Sequence, residues 1–426
     1  MAKVALHWQI LIAIALGGIA GLVLNHLALP ADHGVSVVLK LLGQLFMNGL
    51  KLIVIPLVIS SIIVGISGIG EAMGRMGGNT FAYYIGSSIC AVLVGVLCVN
   101  LIEPGIFHGS PLGTQISLPA ETAGALAKVQ DKSLGDVLDL FLSMVPPNLV
   151  GAALEGNMIG LIMFSLLYGF FVGRLPAAQK DTQLQFWNGT QQIMISIIQV
   201  ILMFAPVGVF ALIATTLANT GFGALLPMLW FFATVLLGLA IHMLLTTSLF
   251  LHFIARVSPW RHLQAMAPAL LTAFSTASSN ATLPVTLRTL RERAGVSDRV
   301  SGMSAPLGAS MNMDGTALYE CAAALFLAQA YGLELSLAQQ FTVVLIALLT
   351  GFGMAGIPAA SLVAIAVILG ALGLPLEAIG LLLITDRLLD MCRTAVNVYS
   401  DSVAAVFVAS REGEALLPLR GKGRPL

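Results

Sequence analysis

Residues 384–401 read ITDRLLDMCRTAVNVYSD, a polar stretch in an otherwise apolar part of the chain. On a helix, at about 100° per residue, its polar side chains fall within an arc of roughly 100°. These side chains belong to Asp386, Asp390, Arg393, Thr394, Asn397 and Asp401. Because the remaining surface of the helix is mostly apolar, we predict that it faces lipid or packed protein on most sides and a polar site on one.

The composition of the whole chain predicts that this helix lies in a membrane. Of the 426 residues, 58% are hydrophobic and 9% are charged, whereas about 25% are charged in ordinary soluble domains. The 20 Lys and Arg balance the 20 Asp and Glu, so the net charge is +0 and no basic excess favours nucleic acid. The mean hydropathy is +0.95. We therefore predict an all-α polytopic membrane protein, which excludes an ordinary soluble enzyme.

Apolar segments long enough to cross a bilayer recur along the chain. They cover residues 7–27, 36–66, 80–102, 138–173, 190–217 and 223–254. Basic residues concentrate in alternate gaps between these segments and in the C-terminal tail, which predicts that both termini are cytoplasmic. The segment 263–287 is too short to cross the bilayer and return, and the polar run Ser275–Asn280 lies at its centre. We predict a re-entrant hairpin there, and a second one at residues 337–370, whose centre is rich in glycine.

Each predicted hairpin is followed by a helix that carries carboxylates, the pattern of an internal repeat with broken helices around a midplane site. The first of these helices contains the sequence GASMNMDGT at Gly308–Thr316. Local unwinding there would free carbonyls that, with the carboxylate of Asp314, form an oxygen cage for a small hard cation. The alternative is a kink whose backbone groups are satisfied by Ser and Thr hydroxyls.

Other polar residues in apolar stretches permit two interpretations each. Glu320 either carries a proton during transport or is a permanently paired structural acid. Ser87 and Ser88 either add oxygens to a cation site or serve helix packing. His242 and His252 show no metal-ligand spacing, and we interpret them as satisfied or interfacial histidines.

The charged residues of the stretch 384–401 suit an acidic amino acid. Arg393 can hold a carboxylate through two parallel hydrogen bonds, and Asp390, about one turn away, can hold an ammonium. A structural ion pair between the two is the alternative, but it would not need Thr394 and Asn397 on the same face. Charges at bilayer depth cost about 2.5–3.5 kcal/mol each and are usually functional. We therefore predict a binding strip.

Four motifs, spread over the second half of the chain, resemble those of the dicarboxylate/amino acid:cation symporters, the glutamate transporter family. They are SSNATLP at Ser278–Pro284, NMDGT at Asn312–Thr316, AGIP at Ala355–Pro358 and DMCRTAVN at Asp390–Asn397. The likeness covers nearly the whole chain. It implies eight transmembrane helices plus two re-entrant helical hairpins, arranged as inverted repeats in a homotrimeric, elevator-type transporter.

The resemblance also implies a division of the chain into scaffold and transport parts. The implied parts are 1–72 (scaffold helices 1 and 2), 73–137 (transport-domain helix 3 and an extracellular loop), 138–220 (scaffold helices 4 and 5), 221–410 (the rest of the transport domain) and 411–426 (a cytoplasmic tail). In such a transporter the transport domain slides across the membrane against the scaffold, with the second hairpin as a gate.

Family roles carry over to this chain by position. The resemblance implies that Arg393 binds the side-chain carboxylate of the substrate and that Asp390 binds its ammonium. The rest of the implied substrate pocket is Thr394, Asn397, Thr316, Ala277, Ser278, Ser279 and Ile357.

The resemblance further implies three sodium sites. Their implied ligands are Asp401 with carbonyls of Gly308, Asn312 and Asn397; the Ser310 region with carbonyls near Gly351, Phe352 and Met354; and the Tyr84 carbonyl with Ser87, Ser88, Asn312 and Asp314. Glu320 matches the acidic position linked to proton coupling in some members. Three residues depart from common family choices: Asn280 in the first hairpin, Cys392 beside the substrate arginine, and Ser87.

Together these features predict a secondary active symporter, not an enzyme, that moves L-aspartate and/or L-glutamate into the cell. We expect coupling to Na⁺, with H⁺ as a possible second coupling ion, and no cofactor. We expect a multi-pass protein of the cell inner membrane whose partners are its substrate, Na⁺, the lipid bilayer and further copies of itself. The alternative is a proton-coupled glutamate/aspartate or C4-dicarboxylate symporter of the same fold. An intramembrane aspartyl protease and an anion channel are remote alternatives.

Overall fold

The computed structural model consists almost entirely of helices. It describes residues 6–27, 33–69, 75–114, 142, 144–155, 157–351, 360–372, 374, 378–414 and 416. Within these ranges the sheet is a two-residue antiparallel pair, β1 (Ile106–Phe107) and β2 (Ser110–Pro111). The predicted all-α class is confirmed.

The helices of the first half of the chain are long and apolar. They are α1 (Leu6–His26), α2 (Gly34–Ile69), α3 (Arg75–Ile102), α4 (Leu149–Glu155), α5 (Met158–Val172), α6 (Ala177–Met203) and α7 (Ala205–Thr220). The predicted segment 190–217 differs from the structure, because α6 begins earlier and ends at Met203. Pro206 explains the break, since it cannot donate a backbone hydrogen bond but fits the first turn of a new helix.

The second half of the chain contains shorter and more often interrupted helices. They are α8 (Leu225–Ile241, continued by π-helical turns to Ala255), α9 (Pro259–Thr276), α10 (Ser279–Thr289, continued to Ala294), α11 (Asp298–Met311), α12 (Asp314–Ala330), α13 (Leu337–Gly351), α14 (Ala360–Leu372) and α15 (Ile379–Arg411). Interruptions free backbone groups that can contact a ligand, so a site is expected in this half of the chain.

Four helices within the described residues are long and apolar enough to cross a membrane. They are Trp8–His26, Met76–Ile102, Ala205–Gly223 and Leu225–Ala255. Shorter apolar helices lie at Gly34–Gly49, Ile55–Ser67, Gly160–Val172 and Leu337–Gly351. Length and composition therefore agree with the predicted polytopic membrane protein.

Helix α1 packs closely along α7, and α2 packs on α5, α6 and α7. A Cβ atom at Gly21 would lie 2.6 Å from the carbonyl oxygen of Ala214 and 2.9 Å from Cβ of Leu217, so the glycine is what permits this approach. Helix α3 instead packs on α8, α12, α13 and α15, and α15 also contacts α9, α10 and α11. The division of the chain into a scaffold and a transport domain stays a prediction.

The predicted first hairpin corresponds to α9 and α10, which pack on each other. Ala277, between them, has a φ of 49°, a left-handed conformation that reverses the chain. The side chain of Ser278 then caps α10 by accepting a hydrogen bond from the backbone N–H of Ala281 at 3.2 Å. The arms of the predicted second hairpin are α13 and α14. Its tip, residues 352–359, lies outside the described residues.

Candidate functional site

Four charged side chains in the first half of α15 form a buried row of ion pairs, which we term the charged row. It comprises Asp386, Arg387, Asp390 and Arg393. Arg393 Nη2 donates to Asp390 Oδ1 at 2.9 Å, and its two Nη atoms each lie 3.2 Å from Asp386 Oδ1. Arg387 Nη1 lies 3.3 Å from Asp390 Oδ2. Two positive charges thus balance two negative charges inside the protein, as buried charges require.

The guanidinium of Arg393 is also covered by an aromatic ring. Its Cζ atom lies 3.8 Å from the ring centroid of Tyr319 on α12, a cation–π contact. Sequence reasoning missed Tyr319, although it lies three residues after Thr316. It also missed Arg387, which lies about 100° from Asp386 around the helix, just outside the predicted polar arc.

Asn397 joins α15 to the beginning of α12. Its Oδ1 accepts hydrogen bonds from the backbone N–H groups of Gly315 at 2.8 Å and Thr316 at 3.3 Å. Its Nδ2 donates to Thr316 Oγ1 at 3.0 Å. Thr394 donates to the backbone oxygen of Asp390 at 2.8 Å. The predicted pocket residues Thr394, Asn397 and Thr316 therefore lie beside the charged row, and their assignment to substrate binding stays a prediction.

The other predicted pocket residues belong to the hairpins. Ala277, Ser278 and Ser279 are buried at the tip of the first hairpin, and α10 packs on α15. Gly351 is the last residue of α13 and is buried. The predicted residues Phe352, Met354 and Ile357, like the motif Ala355–Pro358, lie outside the described residues.

Asp314 opens α12 and lies at the centre of a second polar group, which we term the oxygen cluster. The oxygen cluster comprises Asp314, Asp401, Asn312, Ser87, Ser88 and Ser400. Ser88 Oγ donates to Asp314 Oδ1 at 2.6 Å, and Ser400 Oγ donates to Oδ2 at 2.5 Å. Ser87 also donates to Oδ2. The predicted association of Ser87 and Ser88 with Asp314 is therefore present in the structure.

His242 and Ser400 are the members of this neighbourhood that sequence reasoning missed. His242 is completely buried rather than interfacial, and its Nε2 lies 3.2 Å from Asp314 Oδ2, while its Nδ1 has no hydrogen-bond partner among the described residues. His252, by contrast, is exposed. Ser400 lies about 40° from Asp386 around α15, at the edge of the predicted arc, so a slightly wider arc would have included it.

Asp401 completes the oxygen cluster from α15. Asn312 Nδ2 donates to Asp401 Oδ1 at 3.0 Å, and Gly308 lies directly against this carboxylate, so that a side chain there would displace it. Asn312 and Met313 leave the helical conformation, with ψ of 76° and 56°, which confirms the predicted unwinding. Asn312 Oδ1 is buried without a hydrogen-bond partner among the described residues. An unpaired buried acceptor of this kind is suited to a cation.

The remaining predicted cation ligands in the described residues, Tyr84 and Ser310, differ in burial. Tyr84 is buried, and its hydroxyl donates to the backbone oxygen of Ser304 at 2.6 Å. Ser310 lies half-buried near the end of α11. In the described part of the chain, no group of three or more His, Cys, Asp and Glu side chains is placed to hold a metal ion. A cation here would therefore depend on hydroxyl and carbonyl oxygens beside single carboxylates, which suits Na⁺ better than a transition metal.

Glu320 is buried in α12 near the charged row. Its Oε2 accepts a hydrogen bond from Thr350 Oγ1 of α13 at 2.9 Å, while Oε1 is buried without a partner in the described ranges. No ion pair joins it to a basic side chain among the described residues. A permanent ion pair with a described basic residue is thus absent, and the role of Glu320 as a proton carrier stays a prediction.

Comparison of the chain with known families and proteins agrees with the family resemblance of its motifs. The model of the sodium:dicarboxylate symporter family matches residues 6–411. The chain belongs to this family. The predicted resemblance is thus confirmed, and the members of this family are symporters rather than enzymes.

Individual relatives cover most of the chain. It is 36% identical to the proton/glutamate-aspartate symporter of Escherichia coli K12, over 96% of this chain and 93% of the relative. It is 34% identical to the proton/sodium-glutamate symport protein of Bacillus caldotenax, over 97% of this chain and 96% of the relative. It is 33% identical to excitatory amino acid transporter 3 of Mus musculus, over 84% of this chain and 76% of the relative.

Proposed function

We propose that this protein is a secondary active symporter for L-aspartate and/or L-glutamate, driven by Na⁺, H⁺ or both. The observation that carries the proposal is the charged row, a buried set of guanidiniums and carboxylates on one face of α15. Relatives named for glutamate and aspartate symport support this substrate class. Their names include both protons and sodium as coupling ions.

Binding is an exchange of partners within the charged row. Arg393 binds the side-chain carboxylate of the substrate, and Asp390 binds its ammonium. Arg393 already pairs with Asp390 at 2.9 Å and with Asp386 at 3.2 Å, so the substrate replaces existing charge pairs instead of burying new unpaired charges. A C4-dicarboxylate has no ammonium and would leave Asp390 without a new partner, so this pair favours amino acids.

Cation coupling is assigned to the oxygen cluster. Asp314 lies among serine hydroxyls, and Asp401 lies beside Asn312, whose Oδ1 is unpaired among the described residues. Each carboxylate thus has neighbouring hard oxygen ligands of the kind that Na⁺ prefers. Asn397 links the two regions, since its side chain binds the beginning of α12 while its neighbours Thr394 and Arg393 belong to the pocket. Na⁺ bound beside Asp314 therefore stabilises the helix end against which the substrate pocket is built.

The larger organisation follows the prediction from sequence. We propose a homotrimer in the cell inner membrane with both termini cytoplasmic, in which α1, α2 and α4–α7 form the scaffold. The remaining helices form a transport domain that moves across the bilayer. The packing of α1 and α2 on α5–α7, and of α3 on α8, α12, α13 and α15, supports this division, and α15 contacts α7 and α1 across it.

Uptake of radiolabelled L-aspartate into proteoliposomes tests the proposal, with an inward Na⁺ gradient compared with an inward H⁺ gradient. We expect uptake under at least one gradient and none without a gradient. Uptake with Na⁺ alone assigns coupling to the oxygen cluster, and uptake with H⁺ alone makes Glu320 or another buried acid the coupling group. Absence of uptake of aspartate and glutamate under both gradients contradicts the proposal.

A further inference from the structure

Arg387 is a buried cation that the mechanism above does not use. Its side chain is 10% exposed, and one contact at 3.3 Å joins its Nη1 to Asp390 Oδ2. Its Nε is buried without a hydrogen-bond partner among the described residues. Burial of a guanidinium has a large desolvation cost, and a single ion pair at 3.3 Å offsets only part of it. A contribution to folding stability therefore does not explain why an arginine lies at this position.

The consequence of Arg387 for the site is electrostatic. With Arg387, the two guanidiniums of the charged row balance Asp386 and Asp390, and without it the row carries one net negative charge. Glu320 on α12 is buried and close enough to Arg393 to interact with its charge, and it adds a further negative charge whenever it is ionised. No other basic side chain forms an ion pair with the charged row within the described residues.

The proposed substrate is itself an anion. Aspartate and glutamate carry two carboxylates and one ammonium, hence one net negative charge at neutral pH. A pocket with a net negative charge would repel them, and the low dielectric of a buried site strengthens that repulsion. A neutral pocket of the same shape accepts them, because each substrate charge finds an opposite charge in the row.

We propose that Arg387 is a specificity-determining residue, whose charge allows the site to prefer an anionic amino acid over its neutral, nearly isosteric amide. This inference rests on the proposed function. Arg387 acts through its charge on Asp390 and the pocket, while Arg393 contacts the substrate carboxylate. The preference of aspartate over asparagine is therefore divided between a contact made by Arg393 and a charge supplied by Arg387.

The experiment compares wild-type protein with Arg387→Gln and Arg387→Lys in proteoliposomes. KM and Vmax of L-aspartate uptake are measured, and L-asparagine is titrated as a competitor. Binding is also measured through the shift in unfolding temperature at increasing ligand concentration, which does not require transport. Arg288→Gln is the matched control, because this arginine is 71% exposed and pairs with an exposed glutamate.

We expect Arg387→Gln to weaken aspartate binding by about tenfold or more, as a net charge in a buried site predicts, while asparagine binding changes little. The aspartate-to-asparagine preference then falls by the same factor. Arg387→Lys retains most of the preference because it retains the charge, and the control variant behaves as wild type.

Two results would overturn the inference while leaving the proposed function intact. Unchanged aspartate affinity in Arg387→Gln removes any role for the charge. Equal weakening for aspartate and asparagine, with Arg387→Lys as impaired as Arg387→Gln, shows that Arg387 only orients Asp390 through its hydrogen bond. Wild-type protein that neither binds nor transports aspartate instead contradicts the proposed function itself.

Discussion

The charged row buries two carboxylates of α15, and the oxygen cluster buries one of α12 and one of α15, but the two regions neutralise them differently. In the charged row, each carboxylate lies within 3.3 Å of a guanidinium. In the oxygen cluster, Asp314 and Asp401 receive hydrogen bonds from serine, histidine and asparagine side chains, and no arginine or lysine of the described residues pairs with them. A region with internal charge balance suits a ligand of mixed charge, and one with excess negative charge suits a cation.

Removal of Arg393 breaks the charged row and has the largest expected effect. Arg393→Ala leaves Asp386 and Asp390 buried with fewer partners, and loss of one member of such a charge pair costs about 2–5 kcal/mol. We expect aspartate uptake to fall by about 100-fold or more. Uptake kinetics measure this loss, and size-exclusion chromatography verifies that the variant is folded.

The matched control for Arg393→Ala is Arg291→Ala. Arg291 pairs with Asp298 at 2.6 Å, but the two side chains are 44% and 81% exposed. Exposed pairs contribute about 0–1 kcal/mol, so uptake should stay near the wild-type rate. An equal fall in aspartate uptake in the two variants would show that the buried charged row has no special role in transport.

Neutralisation of Asp314 tests the other half of the comparison. Asp314→Asn removes the charge that a cation would balance, so we expect the Na⁺ concentration for half-maximal uptake to rise by about tenfold or more, on the scale of a lost buried charge interaction. The affinity for aspartate at saturating Na⁺ should change less. Asp298→Asn, at an exposed position, is the control, and an unchanged Na⁺ dependence in Asp314→Asn would remove the oxygen cluster from coupling.

Glu320 differs from the carboxylates of both regions. It is buried, but no described basic side chain pairs with it, and only one of its two oxygens accepts a hydrogen bond among the described residues. Glu320→Gln keeps the shape and the acceptor for Thr350 but cannot exchange a proton. We expect uptake driven by an H⁺ gradient to be lost while uptake driven by a Na⁺ gradient persists. Retention of H⁺-driven uptake in this variant would assign proton coupling to another group.

The sequence predicted the parts of both regions that lie along single helices. The polar arc of residues 384–401, the break at Asn312 and the tip of the first hairpin each follow from a local pattern, and the structure contains all three. Ser87 and Ser88 were candidates from their position in an apolar stretch, and their grouping with Asp314 followed from the family resemblance. Local patterns are sufficient here because a polar residue in a membrane helix stands out against its apolar neighbours.

The residues that sequence reasoning missed are those defined by tertiary contacts. His242 is 72 residues away from Asp314 along the chain, and Tyr319 covers Arg393 from another helix. Neither has a spacing that distinguishes it from an ordinary packing residue. Arg387 was missed for a different reason. Its backbone position lies outside the predicted polar arc of α15, but its side chain is long enough to contact Asp390 inside that arc.

Ser400 offers the smallest and most selective test of the comparison. It donates to Asp314 Oδ2 at 2.5 Å but makes no hydrogen bond to the charged row. A hydrogen bond to a charged group contributes about 1.5–3 kcal/mol, and Ser87 donates to the same oxygen and retains part of that stabilisation. Ser400→Ala should therefore raise the Na⁺ requirement by roughly fivefold, less than Asp314→Asn does.

The neighbouring Ser402 is a matched control for Ser400→Ala. Ser402 is equally buried on α15, but it donates to the backbone oxygen of Tyr399 at 2.6 Å and lies 2.9 Å from His262 Nε2, away from both regions. Ser402→Ala should leave the Na⁺ dependence unchanged. If both serine variants shift the Na⁺ requirement equally, the effect reflects general loosening of α15. If Ser400→Ala alone shifts it while aspartate affinity at saturating Na⁺ is constant, the two regions bind different ligands, as their opposite charge balance predicts.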